Sequence, residues 1–310
     1  MSAAAEQRFR HEALFYEGID GFMESVVPFV RDGVAEREPI LVAVDEEKIA
    51  RLKDALGDDA RSVRFAEMRA LGKNPGCIIP AWRQFVIDHA GHGVPMRGVG
   101  EPIWPGRSED ELEECHRHEA LLNTAFDDGP AWTLVCPYDT AALPERVVEH
   151  ARCTHPLVGR NGSSGHSHAY RELYADPLDG ALPEPAGPEQ TLEFTIDDLG
   201  VVRGMVMAWA QSAGLGGMRA SDLVLAVNEL ASNSIRHGGG RGVLRSWREA
   251  DRLVCEVRDS GRIADPLVGR GLPLEESPNG RGLWLVNQLC DLVQLRSLEA
   301  GAVARLHMAL

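Results

Sequence analysis

The sequence predicts two domains, an N-terminal α/β domain with a largely parallel sheet and a C-terminal α+β sandwich. The chain has 310 residues, a length that suggests two domains. Strand and helix patterns alternate over residues 11–158, whereas residues 191–310 combine helices with alternating strand patterns. A segment rich in Gly, Ser and Pro separates these regions, and we place a linker there, at 159–190.

Short apolar runs and amphipathic stretches define the N-terminal domain. Ile40–Val44 is suited to a buried strand, and Thr133–Cys136 is a second such run that ends at Pro137. Between them, Glu46–Leu56 and Ile78–His89 have the apolar spacing of helices. Buried strands that alternate with helices indicate a largely parallel sheet.

The C-terminal domain begins with a different pattern. Ser221 can cap a helix that runs to His237, where three glycines end it. In Arg252–Arg258 apolar and charged residues alternate, so we expect Glu256 and Arg258 to face water. A helix is predicted to begin near Gly282, and two further strand-like runs end the chain, Leu292–Arg296 and Val303–Met308. These elements predict helices on one face of an antiparallel sheet.

Composition narrows the function classes. The formal net charge of −15 disfavours direct binding to nucleic acid, whose phosphates carry the same sign. No apolar run is long enough for a membrane span, and Met1–Arg10 lacks the apolar core of a signal peptide, so we expect a cytoplasmic protein with no membrane partner. The six cysteines form no CxxC pair, which predicts reduced, packed thiols.

Glu229, Asn233 and His237 follow one another at helical spacing and share one face of the predicted helix. A carboxamide oxygen is a hard ligand for Mg²⁺, so Asn233 is the candidate metal ligand. A carboxylate can accept a proton from an attacking hydroxyl, so Glu229 is the candidate general base. Together they predict a magnesium–nucleotide site.

Two glycine-containing motifs follow this helix. Asp259 stands at a strand end, where it can accept a hydrogen bond from an exocyclic amine such as that of adenine, and Gly261 permits close backbone approach. Gly280 and Gly282 open a helix whose N-terminus favours phosphate, and Arg281 adds positive charge. Each motif alone is weak, but the ordered set within about 55 residues is specific for nucleotide binding.

These motifs resemble the three boxes of the GHKL (Bergerat) ATPases. Residues 228–238 resemble the N box, 259–261 the G1 box and 280–283 the G2 box. Their short intervals resemble those of bacterial anti-sigma factor serine kinases. The resemblance implies ATP and Mg²⁺ as cofactors, Glu229 as base, Asn233 as Mg²⁺ holder, Asp259 as adenine reader, and Ile263–Asn279 as the lid over ATP.

The anti-sigma resemblance also implies partners, and the sequence departs from the family pattern at one position. It implies that the protein sequesters a sigma factor, phosphorylates an anti-anti-sigma (STAS-type) protein, and forms a homodimer. The last strand of the family carries a Thr after Gly, but here Gly301 is followed by Ala302. The missing hydroxyl predicts reduced ATP affinity or turnover.

The N-terminal domain resembles the MEDS sensory domain, a relative of RecA-type α/β folds. The motifs that carry the resemblance are His11–Tyr16, Asn74–Pro75, Ile79–Trp82, Arg97–Pro102, His118–Asn123 and Cys136–Asp139. A MEDS domain followed by a GHKL module resembles the RsbA-family anti-sigma regulators. This implies that the N-terminal domain senses a ligand that the residues do not identify. It has no GxxxxGK[ST] loop, which disfavours RecA-like ATP hydrolysis.

Three alternatives stay open. The kinase-type domain can be a binding module without phosphotransfer, as Ala302 suggests. A sensor histidine kinase would need a phosphoacceptor on a dimerisation helix, and the linker around His166 and His168 is too rich in Gly, Ser and Pro for one. A metal or redox site could use soft ligands of the N-terminal domain, namely Cys115, His116, His118, Cys136, His150, Cys153 and His155.

Overall fold

A computed structural model describes residues 9–160, 162–171, 178–272 and 281–310. Residue contacts divide the chain after Tyr174 into two compact units, each described below by itself. Among the described residues, no helix combines the length and apolar character needed to cross a bilayer.

The N-terminal unit is built on one seven-stranded sheet. Its strands are β1 (Phe9–Tyr16), β2 (Ile40–Val44), β3 (Val63–Glu67), β4 (Met96–Gly100), β5 (Trp132–Asp139), β6 (Leu157–Arg160) and β7 (Ser163–His166). They lie in the order β3-β2-β4-β5-β1-β6-β7, and every neighbouring pair is parallel except β6 and β7. The predicted α/β fold with a largely parallel sheet is confirmed.

Helices cover both faces of this sheet. They are α1 (Gly18–Ala35), α2 (Glu46–Leu56), α3 (Met68–Leu71), α4 (Ile78–His89), α5 (Glu109–Ala125) and α6 (Glu145–Thr154). Helices α1 and α2 pack on one face, where Phe22, Val26 and Leu52 are fully buried. The N-termini of α2 and α5 are capped by nearby side chains. The Asp45 carboxylate accepts a hydrogen bond from Lys48 N at 2.9 Å, and Ser108 forms a capping box with α5.

Strand β5 continues through Pro137, where the sequence predicts its end. Its pairing with β4 ends at Val135, while its pairing with β1 continues to Asp139. Pro137 therefore lies where one side of β5 has no neighbouring strand. A missing N–H is tolerated at such an edge.

The segment predicted as a linker, 159–190, contains regular structure at its ends. Ser163–His166 returns antiparallel to β6 as a sheet edge. Later in the segment, Leu178 and Leu182 are buried in the C-terminal unit. Composition alone indicated only turns and extended chain here. The few apolar residues of the segment are buried by elements that lie elsewhere in the sequence, and local composition does not show this.

In the part of the C-terminal unit that the structure describes, three helices pack with a five-stranded antiparallel sheet. Its elements are β8 (Glu189–Thr195), α7 (Leu199–Ala213), α8 (Gly217–His237), β9 (Arg241–Glu249), β10 (Arg252–Asp259), α9 (Arg281–Leu289), β11 (Leu292–Leu298) and β12 (Gly301–Ala309). The strand order is β11-β12-β10-β9-β8. The predicted α+β fold is confirmed.

Helix α8 lies across the core face of this sheet. Leu223, Val227 and Leu230 are buried against apolar side chains of the strands. The predicted start at Ser221 is wrong, because the helix begins at Gly217. Long-range contacts hold the additional turn, since Ala220 is buried in the core and Arg219 forms an ion pair with Asp291 at the end of α9.

On the opposite face of the sheet, the prediction that Glu256 faces water is wrong, whereas Arg258 remains 37% exposed. Glu256 is fully buried and accepts hydrogen bonds from Arg245, Arg258 and Arg305. The preceding segment crosses this face, where the Pro183 carbonyl oxygen accepts a hydrogen bond from Arg305 at 2.8 Å. A charged strand face is therefore buried as an ion-pair network.

Candidate nucleotide-binding site

A cavity of about 290 Å³ opens between α8 and the adjoining ends of β10 and β12, and we call it the α8–β10 cavity. Its walls are mostly apolar, formed by Leu230, Val257, Ile263, Val268, Leu283, Leu295 and Val303. Its polar side chains come from Asn233, Ser234, His237 and Asp259, and from Arg262 and Asp265 in the segment after β10. An apolar cavity with a few placed polar groups suits a flat heteroaromatic ligand.

Asp259 is the most firmly oriented polar side chain in this cavity. Ser234 Oγ donates a hydrogen bond to Asp259 Oδ2 at 2.5 Å, and the Gly261 backbone N–H donates to Oδ1 at 2.7 Å. Each carboxylate oxygen thus has a fixed donor and keeps a lone pair for another. Sequence reasoning missed Ser234, although its position one turn before the end of α8 placed it on the stripe that faces the sheet.

Glycines allow the backbone to pack closely around Asp259. A Cβ atom at Gly238 would lie 2.3 Å from the Asp259 carboxyl carbon, and one at Gly261 would lie 2.7 Å from the carbonyl oxygen of His237. At Gly301, with φ +133°, a Cβ would lie 1.9 Å from the Asp259 carbonyl oxygen. Gly261, predicted to allow approach to the ligand ring, lines the α8–β10 cavity, and its missing Cβ also lets the turn after β10 pack against the end of α8.

Glu229 lies beside the start of α9. It does not line the α8–β10 cavity, but a Cβ at Gly282 would lie 2.7 Å from Glu229 Oε2 and 3.8 Å from Asn233 Nδ2. The carboxylate, the carboxamide and the N-terminus of α9 therefore converge next to the cavity. Arg281 is exposed at that helix start.

Part of the predicted site lies outside the described residues. These are Gly280 and residues 273–279 of the predicted lid, whereas residues 263–272 are described. In the described part, Ile263 N donates a hydrogen bond to Ser297 Oγ at 3.0 Å, which fixes the start of the segment to β11.

Comparison with known families accounts for both units. Residues 10–156 match the family described as MEDS, the MEthanogen/methylotroph, DcmR Sensory domain. Residues 192–308 match the histidine kinase-like ATPase domain family. The chain joins a MEDS domain to a histidine kinase-like ATPase domain.

The solved structures that match part of the chain include that of the RsbU and RsbW domains of Rv1364c from Mycobacterium tuberculosis. The sequence identity is 20%, the TM-score is 0.30, and the match covers 39% of this chain and 32% of that one. The matched part is thus about a third of the length of that structure. No curated protein sequence matches the chain.

In the ATPase domain, Ala302 lies directly beside Asp259. The two residues face each other across the β10–β12 ladder, and Ser297 faces Ala302 from β11 on the other side. The Ala302 methyl group lines the α8–β10 cavity. The hydroxyl that the sequence comparison expects is therefore absent at a cavity wall, next to the candidate adenine-binding carboxylate.

Asn233 is already engaged in the ATPase domain. Its Oδ1 accepts a hydrogen bond from Arg236 Nη2 at 3.1 Å. The side-chain oxygens of Asn233 and Glu229 are the hard donors that Mg²⁺ prefers, so the residue types fit this ion. Arg236 occupies one of the two lone pairs of this amide oxygen, so Mg²⁺ would bind at the other or displace the guanidinium.

The MEDS domain carries a polar cluster at one edge of its sheet. Tyr16 OH donates to Glu101 Oε1 at 2.5 Å, and Lys48 Nζ donates to Glu101 Oε2 at 2.7 Å and to Asp45 Oδ2 at 3.0 Å. Burial raises the pKa of the Glu101 carboxyl, and the Lys48 ammonium offsets part of that rise. These residues follow the carboxyl ends of parallel strands, where α/β sheets bind their ligands.

Proposed function

We propose that the protein is an anti-sigma regulator of the partner-switching type. Its ATPase domain binds Mg·ATP, phosphorylates a serine or threonine of an anti-anti-sigma (STAS-type) partner, and alternatively holds a sigma factor. The MEDS domain binds a signal ligand and biases which partner is held. The observation that carries the nucleotide part is the oriented carboxylate of Asp259 in an apolar cavity.

The geometry of the α8–β10 cavity supports adenine recognition. The Asp259 carboxylate can only accept hydrogen bonds, and Ser234 and Gly261 hold it at both oxygens. An acceptor held inside the cavity selects a ring that presents an N–H donor, such as the exocyclic amine of adenine, over one that presents a carbonyl. The apolar walls supply contact area for the two faces of the ring.

The residues next to the cavity have the chemistry for phosphotransfer. Bound Mg·ATP would supply the phosphoryl group, and its Mg²⁺ ion would offset the negative charge of the phosphates. Glu229 accepts the proton of the attacking serine or threonine hydroxyl, and Asn233 holds the Mg²⁺. The N-terminus of α9, with Arg281 and Gly282, offers backbone N–H groups and positive charge to phosphate oxygens.

Two other functions are weaker. A sigma-binding module without phosphotransfer is favoured only by Ala302. A sensor histidine kinase is disfavoured, because His166 lies in strand β7 and the described residues 162–171 and 178–188 contain no helix for a phosphoacceptor. Homodimer formation is part of the proposal only through the resemblance to anti-sigma kinases.

The full-length protein should be titrated with Mg·ATP by calorimetry and then incubated with radiolabelled ATP and a purified STAS-type protein. We expect saturable binding by the wild type and weakening of tenfold or more in Asp259→Ala and Asn233→Ala. Glu229→Ala should bind ATP within about threefold of wild type and lose phosphotransfer by about 100-fold or more, because it removes only the base.

The outcomes separate the alternatives. Binding of ATP without phosphotransfer by the wild type would support the binding module. No binding by the wild type at about 1 mM ATP would contradict the nucleotide site itself. Asn228→Ala is a matched control on α8, because its amide is bonded to Arg203 and not to the site. It should bind ATP like the wild type.

A further inference from the structure

Four side chains that can bind metals meet inside the MEDS domain. His11 comes from β1, Glu119 from α5, Cys136 from β5, and His155 from the residue after α6. Each is at most 1% exposed. One donor atom from each lies within 4.8 Å of all the others. We call this set the HECH cluster, after its residues in chain order.

The distances within the HECH cluster are short. His11 Nε2 lies 3.1 Å from Glu119 Oε2 and 3.4 Å from Cys136 Sγ, and His155 Nε2 lies 3.3 Å from the same carboxylate oxygen. A tetrahedral zinc site with bond lengths of 2.0–2.3 Å separates its ligand atoms by about 3.3–3.8 Å. Three of the six donor pairs are thus already near that spacing, and the other three lie within 4.8 Å.

Both imidazoles are held with their metal-binding nitrogens turned inward. His155 Nδ1 lies 2.8 Å from the Ala151 carbonyl oxygen, which can only accept, so that nitrogen carries a proton. His11 Nδ1 lies 3.1 Å from Asn123 Oδ1, and the Asn123 amide group donates to Thr154 O, which fixes its orientation. Hydrogen bonds of this kind orient the histidine ligands of metal sites.

The orientation places acceptors against one another. A neutral imidazole whose Nδ1 carries the proton presents a lone pair at Nε2, and an ionised carboxylate presents only lone pairs. Among the described residues, Glu119 Oε1 and His155 Nε2 have no hydrogen-bond partner. The Cys136 thiol is a weak donor 3.4 Å from His11 Nε2, and it leaves those two acceptors without a donor. Buried acceptors without donors are costly, and a cation at their centre removes that cost.

We propose that the HECH cluster binds one divalent transition-metal ion, with Zn²⁺ as the ion that best fits. Two imidazole nitrogens, one carboxylate oxygen and one thiolate form a four-coordinate set that zinc accepts and that Mg²⁺ or Ca²⁺ does not. Binding releases the Cys136 thiol proton to solvent, because the thiolate is the ligand. No redox change is involved.

The cluster differs from the sequence-based metal hypothesis. Only Cys136 and His155 of the seven residues considered there belong to it, while His11 and Glu119 were not considered. Cys115 instead donates a hydrogen bond to the Pro102 carbonyl oxygen, and the His116 ring contacts the tilted His150 ring with 4.2 Å between centroids. The true set is invisible in sequence spacing, because its members come from four elements that meet only in the folded domain.

A metal ion here would act as a cross-link within the domain. It would join the first strand, a central strand, α5 and the residue that leads into β6. His11 and His155 lie at the two ends of the matched MEDS region, so a bound metal ion would stabilise the domain as a whole. Full burial of all four ligands makes a closed structural site, without an open coordination position for catalysis.

The test is metal analysis and cobalt substitution on full-length protein produced without a histidine tag. We expect about one equivalent of zinc after reconstitution with ZnCl₂ and dialysis. The protein reconstituted with CoCl₂ should show visible d–d bands and a thiolate-to-cobalt charge-transfer band in the near ultraviolet. Chelation of the metal should lower the melting temperature of the MEDS domain.

Variants identify the ligands. Cys136→Ser should abolish the charge-transfer band and weaken zinc binding, and Asn123→Ala should weaken binding about 10–100-fold by releasing His11. Cys115→Ser, a buried cysteine on α5 outside the cluster, should bind like the wild type. Circular dichroism and Mg·ATP binding by the ATPase domain check that each variant is folded.

The proposal has clear contrary outcomes. Less than about 0.1 equivalent of any transition metal after reconstitution of the wild type would overturn it. A cobalt spectrum of the wild type without a thiolate-to-cobalt band would also overturn it, and this measurement does not depend on whether the variants fold. Retention of stoichiometric zinc by a folded His11→Gln/Cys136→Ser double variant would assign the metal to other residues.

Discussion

Replacing Ser234 with alanine tests whether the orientation of Asp259 sets the affinity for nucleotide. The buried Ser234 hydroxyl is one of two groups that hold the carboxylate, and the Gly261 N–H is the other. Hydrogen bonds to charged groups contribute about 1.5–3 kcal/mol. Since the second bond remains and Asp259 is partly exposed to water, we expect the lower end of this range. That corresponds to about tenfold weaker ATP binding.

Calorimetric titration with Mg·ATP measures this difference. Asp259→Ala should weaken binding at least as much as Ser234→Ala, because it removes the acceptor itself. Ser232→Ala is the matched control, since Ser232 lies two residues earlier on α8 and faces a different side of the helix. Its affinity should stay within about twofold of wild type. Wild-type affinity in Ser234→Ala, together with a loss in Asp259→Ala, would refute the positioning role.

Three further predictions concern stability. They are measured by urea unfolding of the protein, with hydrogen exchange in β10 and β12 as the probe of the ATPase domain. Glu256→Gln should destabilise the ATPase domain by about 3–5 kcal/mol, because it removes the carboxylate that pairs with the buried Arg305 guanidinium. Glu184→Gln, on a side chain that is 63% exposed, should cost less than about 1 kcal/mol; equal effects would contradict this reasoning. Gly301→Ala should cost more than about 2 kcal/mol, since its Cβ would collide with the Asp259 carbonyl oxygen, and a wild-type midpoint would contradict that. Burial and neighbouring guanidinium groups lower the pKa of His307 to about 3, so the unfolded chain takes up a proton that the folded chain does not as pH falls below about 6.5. Stability should then fall by up to about 1.4 kcal/mol per pH unit towards pH 4, and His307→Gln should reduce that slope; an unchanged slope would contradict it.

Local periodicity was enough to predict most of the fold. The run Ile40–Val44 is a strand and Glu46–Leu56 is a helix with the predicted bounds, because apolar spacing and the cap at Asp45 act within a few residues. The alternation of such elements then led to the parallel sheet, which is confirmed. Boundaries failed where distant contacts decide them. The first turn of α8 depends on the ion pair between Arg219 and Asp291, 72 residues apart.

The candidate nucleotide site was accessible to sequence reasoning for a related reason. Glu229, Asn233, Asp259 and Gly282 lie within one stretch of helix, hairpin and helix start, so their motifs keep recognisable spacing. The structure adds Ser234, Gly238 and Gly301, which shape the surroundings of Asp259. Their roles depend on side-chain packing and backbone approach, which motif spacing does not encode.

Charged residues on strands were the least predictable. Alternation in Arg252–Arg258 indicated a wet face, since a lone carboxylate rarely enters a core. Glu256 is buried because Arg245 and Arg305, on the two neighbouring strands, and a backbone carbonyl of the preceding segment enclose it. A sequence pattern reports the polarity of a face but not whether partners for its charges lie across the ladder.

Ala302 shows that the orientation of Asp259 and the hydroxyl that the family carries at this position are separate features. Asp259 keeps both of its hydrogen-bond donors although its cross-strand neighbour Ala302 has no hydroxyl. The nearby Ser297 hydroxyl is already bonded to Ile263 N, at the start of the predicted lid. The orientation of the Asp259 carboxylate therefore does not depend on the missing hydroxyl. A weak kinase with normal ATP affinity and a weak ATP binder with normal chemistry are different outcomes, and calorimetry beside phosphotransfer distinguishes them.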